Sequence, residues 1–283
     1  MGLDLSILYR GRLSGCNYDC SYCPFAKRVD NKETLSRDAA ELMQFVDWVK
    51  TRGEDRLRIL FTPWGEALIR KPYQNALIHL SHIPQIARVS IQTNLSCSLG
   101  WIDALNPKTA SLWCTYHPTE ISEDKFIEKC LILESFGIRY SVGTVGLKGN
   151  FETIARLRDR LPDKVYLWAN AYKDEGPDYY DQADIERLKS IDPYFSINLK
   201  NYESFGRNCR AGHESISIDG TGDIRRCHFI KDVIGNIYKQ NIEDALRPRL
   251  CSKYCCDCHI GYSNIADLEL DDIFSGWALG RVI

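Results

Sequence analysis

Short apolar segments alternate with amphipathic ones over roughly the first two thirds of this 283-residue chain. The apolar segments predict six β-strands, at 6–10, 57–61, 89–93, 111–116, 139–145 and 165–172. Segments with helical spacing follow them, near 36–51, from Pro72, and near 99–105, 122–136, 151–160 and 183–190. Short connections between such units are typical of a parallel sheet that is buried on both faces. Six units are fewer than the eight of a closed barrel, so the fold class that we predict is α/β, a partial (β/α)6 TIM-like barrel.

The pattern changes after about residue 200, where glycines and cysteines become frequent. Residues 215–227 predict a β-hairpin that turns on Asp219-Gly220-Thr221-Gly222. We therefore predict three parts: the barrel at 1–200, a small cysteine-rich domain at 201–262, and a C-terminal tail at 263–283 that forms a short helix.

Twelve cysteines are the unusual feature of the composition. No apolar run approaches 18 residues, and the N-terminus lacks the apolar stretch of a signal peptide, so we expect a cytoplasmic protein without membrane contact. The cytosol keeps thiols reduced, so two tight groups of cysteines indicate two metal sites rather than disulfides. Three scattered cysteines, Cys97, Cys114 and Cys130, are expected to be buried apolar residues. The net charge of −2 argues against nucleic acid as a partner.

The first group, Cys16, Cys20 and Cys23, has the spacing C-x3-C-x2-C and directly follows the first strand. Three thiolates on one short loop can bind three irons of a [4Fe–4S] cluster and leave the fourth iron open to a small molecule. The alternative is a zinc site with its fourth ligand elsewhere, although zinc loops usually pair two cysteines with a second pair.

This loop resembles the hallmark of the radical S-adenosylmethionine (SAM) superfamily, C-x3-C-x-aromatic-C, with Tyr22 as the aromatic residue. The resemblance implies a [4Fe–4S] cluster whose open iron binds SAM. It also implies reductive cleavage of SAM to a 5′-deoxyadenosyl radical, which abstracts hydrogen from a substrate. A reductant such as flavodoxin or ferredoxin is an implied partner.

Two further pairs, Gly65-Glu66 after the second strand and Thr93-Asn94 after the third, resemble SAM-binding turns of that superfamily. Glycine permits close backbone approach, and Glu66 offers a carboxylate to the amino group of SAM. Trp64 stands where the superfamily usually has a glycine. Taken alone, Gly65-Glu66 also fits a plain turn and Thr93-Asn94 a strand cap. Their occurrence in order at the ends of successive strands favours a cofactor site.

Polar residues also close the later strands. His117 ends the fourth strand and Asn170 the sixth, which makes both candidates for the substrate pocket. A structural role for His117 is the alternative. We expect the following run Lys173-Asp174-Glu175 to be a solvated group of charges.

The second group of cysteines begins with Cys209 and Cys227 in the pattern C-x12-G-x4-C, which resembles the opening of the SPASM or twitch extension of radical SAM enzymes. The resemblance implies an auxiliary [4Fe–4S] cluster, with a zinc ribbon as the alternative. Spacing alone does not decide which of the last four cysteines bind the cluster. One arrangement uses Cys255 and Cys258, because Cys-x2-Cys is a common chelating pair. Residues two apart in an extended chain share a face, which offers Cys256 and Cys258 instead. A radical SAM subfamily of about this length has C-x4-C-x-C before His-Ile-Gly-Tyr, and this resemblance favours Cys251, Cys256 and Cys258 as ligands, with His259 as a further candidate.

Together these features predict a radical SAM enzyme that acts on an unidentified small molecule or a peptide delivered by a partner. The alternative is a non-catalytic iron–sulfur electron carrier or redox sensor. Such a protein needs the cysteines but not Gly65, Glu66, Thr93 and Asn94 at the end of a barrel.

Overall fold

The protein, seen in a computed structural model that describes residues 2–25 and 28–283, is built on one large sheet. Its six barrel strands are β1 (Asp4–Arg10), β2 (Arg56–Phe61), β3 (Ile86–Thr93), β4 (Ala110–Thr115), β5 (Arg139–Val145) and β6 (Leu167–Asn170). Each pairs with the next in parallel register. The predicted α/β partial barrel is therefore confirmed.

The helices that cover the sheet are α1 (Lys32–Lys50), α2 (Lys71–Ser81), α3 (Glu123–Ser135), α4 (Phe151–Arg160), α5 (Gln182–Ile191) and α6 (Phe195–Leu199). Side-chain caps start three of them, at Asn31, Ser122 and Asp181. The helix predicted near 99–105 is wrong, because only a 3-10 turn at Ile102–Ala104 forms there. The segment between Gly100 and Pro107 is too short for a longer helix, because glycine weakens a helix by about 1 kcal/mol and the residue before a proline disfavours helical geometry. In the part of the chain that is described, no helix has the length and apolar character needed to cross a membrane.

The cysteine-rich region extends the same sheet on the free side of β1 with three strands, β8 (Ser215–Asp219), β9 (Asp223–Arg225) and β10 (Val233–Asn236). Its other two strands, β7 (Tyr202–Glu203) and β11 (Cys255–Cys256), pair with each other in a separate two-stranded sheet. Strand β8 pairs in parallel with β1, and β8 and β9 form the predicted hairpin. The sheet thus continues across the predicted boundary near residue 200, and the hairpin lies beside the strand that leads into Cys16.

The C-terminal segment fills the inside of the barrel. Alternate residues along each strand face opposite sides, so Ile7 packs toward the helices whereas Leu8 faces inward. The inward-facing Leu8, Leu60, Trp113 and Trp168 form a second core with residues of the last 25 positions, among them Tyr262, Phe274 and Trp277. The predicted tail contains the short helix α8 (Leu270–Ile273), after α7 (His259–Tyr262). It is therefore part of the barrel core.

We expect Phe274→Ala to destabilise the protein by about 3–5 kcal/mol, the usual cost of removing a buried aromatic ring. Phe274 is 3% exposed, and its ring contacts those of Tyr166, Tyr194 and His259. The change in unfolding free energy is measured by urea denaturation. Phe136→Ala, at an exposed phenylalanine, is the control, with an expected change within about 0.5 kcal/mol. Equal effects of the two variants would contradict a core role for the segment.

Candidate active site

One cavity lies at the carboxyl ends of the barrel strands and collects the residues predicted for the first site. Its lining includes Cys16, Tyr22, Gly65, Thr93 and His117, and with them Cys20, Cys23, Glu66, Asn94 and Asn170. The cavity has a volume of about 440 Å³. This lies within the roughly 300–1,000 Å³ that is typical of a pocket for a small ligand.

Two aspartates hold the start of the cysteine loop. Asp30 accepts hydrogen bonds from the backbone N–H of Ser14 and of Gly15, the latter at 2.8 Å. Asp38, at the inner face of α1, accepts from the backbone N–H of Arg12 at 2.6 Å. Carboxylates that collect backbone donors fix a loop firmly. Neither aspartate was predicted, because no local pattern links an acid to donors 15 or more residues away.

Glu66 joins the ends of β2 and β3. Its Oε1 accepts from Leu68 N–H at 2.8 Å and from Thr93 Oγ1 at 2.9 Å, and its Oε2 accepts from Asn94 N–H at 2.5 Å. The side chain is 2% exposed, and burial raises the pKa of Glu66 to about 7 in spite of these hydrogen bonds. Since a carboxylate has about four acceptor positions, one remains for a ligand in the cavity.

Asn94 and His117 both contact the cysteine loop. Asn94 Nδ2 lies 3.6 Å from Cys16 Sγ and donates to Asn17 Oδ1 at 3.3 Å. His117 Nδ1 lies 3.3 Å from Cys20 Sγ and 3.0 Å from the Tyr22 hydroxyl. Burial lowers the pKa of His117 to about 4, so the imidazole is neutral at pH 7. His117 therefore lines the predicted pocket and also supports the loop.

The far wall of the cavity comes from β5 and β6. A Cβ at Gly143 would lie 1.8 Å from Cζ2 of Trp168, so only glycine lets this indole occupy the barrel interior. Asn170 ends β6 at the open rim, as predicted. The prediction of a solvated charge run is wrong for Lys173, whose Nζ donates to the backbone oxygens of Lys200 and Asp257, at 3.0 and 3.1 Å. Lys173 thus ties the barrel rim to the cysteine-rich region.

A second cavity lies inside the cysteine-rich region. It is lined by four thiols, those of Cys209, Cys227, Cys251 and Cys256, and by the apolar side chains of residues such as Phe229 and Ile265. The thiols come from four separate positions along about 50 residues, so the fold assembles this site.

The chemistry of this cavity suits an anionic metal cluster. Burial raises the pKa of Cys227 to about 11 and also raises the pKa values of Cys209 and Cys256, so metal binding there must displace protons. Arg226 also lines the cavity, where burial raises the pKa of Cys209 and the Arg226 guanidinium partly offsets that effect. Among residues 2–25 and 28–283, no three His, Cys, Asp or Glu side chains are arranged around one metal ion. In a four-iron cluster each thiolate binds a different iron, so its ligands need not meet at one point.

The structure separates Cys255 and Cys258 from these four thiols. Cys255 is exposed, because it neighbours Cys256 on β11 and adjacent strand residues face opposite sides. The chain leaves β11 after Cys256, and Cys258 caps α7 and lines the first cavity instead. His259 is buried, and its Nε2 lies 2.8 Å from Ala278 O, so it connects α7 to the C-terminal segment.

Arg10, Trp64 and His228 form the contact between the two cavities. The Arg10 guanidinium lies 4.1 Å from the centre of the Trp64 ring, and its Nη1 is 2.7 Å from His228 Nε2. Burial lowers the pKa of His228 to about 4, so its neutral ring accepts the hydrogen bond from Arg10. Trp64 lines the first cavity, and His228 follows Cys227 of the second. The tryptophan that replaces a glycine of the superfamily pattern therefore packs between the two sites.

Comparison with known proteins agrees with this geometry. The family model described as "Radical SAM superfamily" matches residues 12–110. No curated protein matches the sequence. Streptococcus suis SuiB bound to the precursor peptide SuiA superposes with a TM-score of 0.58 at 16% identity, over 86% of this chain and 65% of SuiB. This chain thus spans slightly less than two thirds of SuiB.

A second similar structure is anSMEcpe with bound AdoMet, with a TM-score of 0.57 at 14% identity, over 85% of this chain and 80% of that one. Its complex with AdoMet and the Cp18Cys peptide gives 0.55 at 16% identity, over 85% and 79% of the two chains. At these identities the likeness establishes the fold.

Proposed function

A domain of the radical SAM superfamily occupies residues 12–110 of this chain, and from it we propose that the protein cleaves SAM reductively and abstracts hydrogen from a substrate. The observation that carries the proposal is the single cavity that collects three cysteines with the ends of β2, β3, β5 and β6. A plain electron carrier has no need of such a cavity beside its cysteines. When bound, a [4Fe–4S] cluster supplies one electron, and SAM supplies the 5′-deoxyadenosyl group.

The residues of this chain have distinct parts in the proposed reaction. Cys16, Cys20 and Cys23 would hold the first cluster. Glu66 keeps the ends of β2 and β3 together and presents its remaining acceptor position to the amino group of SAM. Asn94 joins this unit to the cysteine loop, because it contacts both Glu66 and Cys16.

The second cavity would hold an auxiliary [4Fe–4S] cluster on Cys209, Cys227, Cys251 and Cys256. Four thiols, an apolar lining and the positive charge of Arg226 beside Cys209 support this set. Relative to the sequence prediction, the proposal omits Cys258. That thiol would instead face the substrate in the first cavity.

We infer that the substrate is a peptide side chain presented at the open rim. Asn170, Asp174 and Asp257 line the rim and can accept hydrogen bonds from backbone amides or amines. The peptides in the similar structures of SuiB and anSMEcpe support this choice. A small molecule with amino groups would meet the same acceptors.

A chromatographic assay for 5′-deoxyadenosine tests the reaction class. The protein is reconstituted with iron and sulfide without oxygen, reduced with dithionite and mixed with SAM. We expect 5′-deoxyadenosine well above the amount from Cys23→Ala, which lacks one proposed ligand. If the iron-loaded protein neither forms this product nor binds SAM, the protein is an electron carrier instead.

We expect SAM binding to weaken as the pH falls through the pKa of Glu66, which is about 7. The ionised carboxylate is the better acceptor for the amino group of SAM, and protonation at low pH removes that advantage. The ionised fraction falls from about three quarters at pH 7.5 to a tenth at pH 6, so the dissociation constant should rise about eightfold. Equilibrium binding of SAM to wild type and Glu66→Gln at both pH values measures this. The same pH dependence in Glu66→Gln would exclude Glu66 as its source.

A further inference from the structure

Three large apolar side chains are exposed outside the second cysteine cavity. Phe205 is 62% exposed, Leu250 60% and Tyr254 78%. The rings of Phe205 and Tyr254 stack with their centres 5.0 Å apart and an interplanar angle of 12°. The backbone supports this arrangement, because Ser204 N–H donates to Tyr254 O at 2.9 Å. Aromatic residues grouped on a surface mark protein-binding sites more often than scattered apolar residues do.

The segment 245–256, which contains Leu250 and Tyr254, carries positive charge. Of the acids that flank it in sequence, Glu243 pairs with Arg52 and Asp257 lines the first cavity. Residues 245–256 contain Arg247, Arg249 and Lys253 and no aspartate or glutamate. Arg249 Nη1 donates to uncharged backbone oxygens, those of Gly212 and Ala245, both at 3.2 Å. This local excess of positive charge contrasts with the net charge of −2 of the whole chain. It would attract an acidic partner.

The segment 245–256 also covers the cavity that is lined by the four thiols. Cys251 belongs to it and lines the cavity, and its backbone N–H donates to Arg207 O at 3.0 Å. Lys253 lines the cavity as well, and its Nζ lies 5.0 Å from the centre of the Phe229 ring. A protein bound on this side would therefore be separated from the four thiols by little more than one segment of chain.

We propose that this surface docks a small acidic electron-transfer protein. The docking face, as we define it, consists of Phe205, Arg247, Arg249, Leu250, Lys253 and Tyr254. Its apolar centre and cationic surroundings match an interface with an apolar core and a polar rim. The choice of an electron carrier rests on the proposed function, which gives the cavity underneath a redox-active cluster.

The test is titration of the iron-loaded protein with an acidic flavodoxin by calorimetry at 50 mM and 300 mM salt. We expect binding at low salt that weakens at high salt, because screening shortens the reach of exposed charges. Arg247→Glu/Lys253→Glu should bind at least about tenfold more weakly, since two attractions become repulsions. Glu203→Lys should bind more tightly, because Glu203 lies opposite Cys255 at the edge of the face. Lys108→Glu/Lys125→Glu, with the same change of charge at exposed lysines elsewhere, should bind as wild type does.

The outcomes separate this proposal from the proposed function. Absence of flavodoxin binding at 50 mM salt, or equal weakening in both double variants, would overturn the docking face. Self-association of the wild type that is lost in Tyr254→Ala, without flavodoxin binding, would assign the face to a second copy of the chain and also overturn it. Iron content measured before each titration tests the auxiliary cluster separately, because its loss leaves the charges of the face unchanged.

Discussion

Replacing Cys256 by alanine is expected to halve the iron content of the reconstituted protein, whereas Cys258→Ala leaves it unchanged. Two filled [4Fe–4S] clusters contain about eight irons per chain, and loss of one leaves about four. Cys256 lines the four-thiol cavity, and Cys258 lines the cavity at the barrel ends. Iron and sulfide analysis together with electron paramagnetic resonance of the reduced protein measures the change.

Cys255→Ala is the matched control, because Cys255 precedes Cys256 in sequence and is exposed on the other face of β11. It should keep about eight irons. If Cys258→Ala lost half of the iron and Cys256→Ala did not, the ligand set expected from the fold would be wrong, and Cys258 would belong to the second cluster. All three variants are reconstituted in parallel, so that differences in the supply of iron and sulfide do not explain differences in iron content.

The barrel, and the placement of the first group of motifs at its end, could be predicted from the sequence because both depend on local patterns. Alternating apolar segments specify parallel strands, and the carboxyl ends of parallel strands share one edge of the sheet. A motif that directly follows a strand is therefore placed at that edge without further information. Gly65, Thr93 and His117 all line one cavity for this reason.

The placement of the second group of cysteines could be predicted only in part, because it depends on long-range contacts. Cys256 and Cys258 would share a face only in an extended chain, whereas the chain bends at Cys258 to enter α7. Packing of His259 against Ala278 and Trp113 accompanies this bend. A sequence of short, weakly patterned segments gives no sign that residues 263–283 return to the barrel interior. The contact between Arg10, Trp64 and His228 likewise depends on β8 pairing with β1, which sequence spacing does not indicate.

Gly65→Ala is expected to reduce 5′-deoxyadenosine formation by about a hundredfold, the effect of a misplacement of about 1 Å in an active site. A Cβ at residue 65 would lie 1.8 Å from Gly15 O and 3.0 Å from Cys16 N, and neither backbone atom can rotate away as a side chain does. The substitution must therefore push the cysteine loop away from Glu66, whose N–H donates to Gly15 O at 3.2 Å. SAM binding should weaken together with the rate.

Gly149→Ala provides the control for any general effect of replacing a glycine. A Cβ at Gly149 meets no atom within 4 Å, so this variant should have the wild-type rate and the wild-type affinity for SAM. Unfolding by urea, measured on both variants, distinguishes local displacement from loss of the fold. The close contact of residues 15 and 65 holds the cysteine loop against the end of β2, and a Gly65→Ala protein with the wild-type rate would show that SAM cleavage does not depend on it.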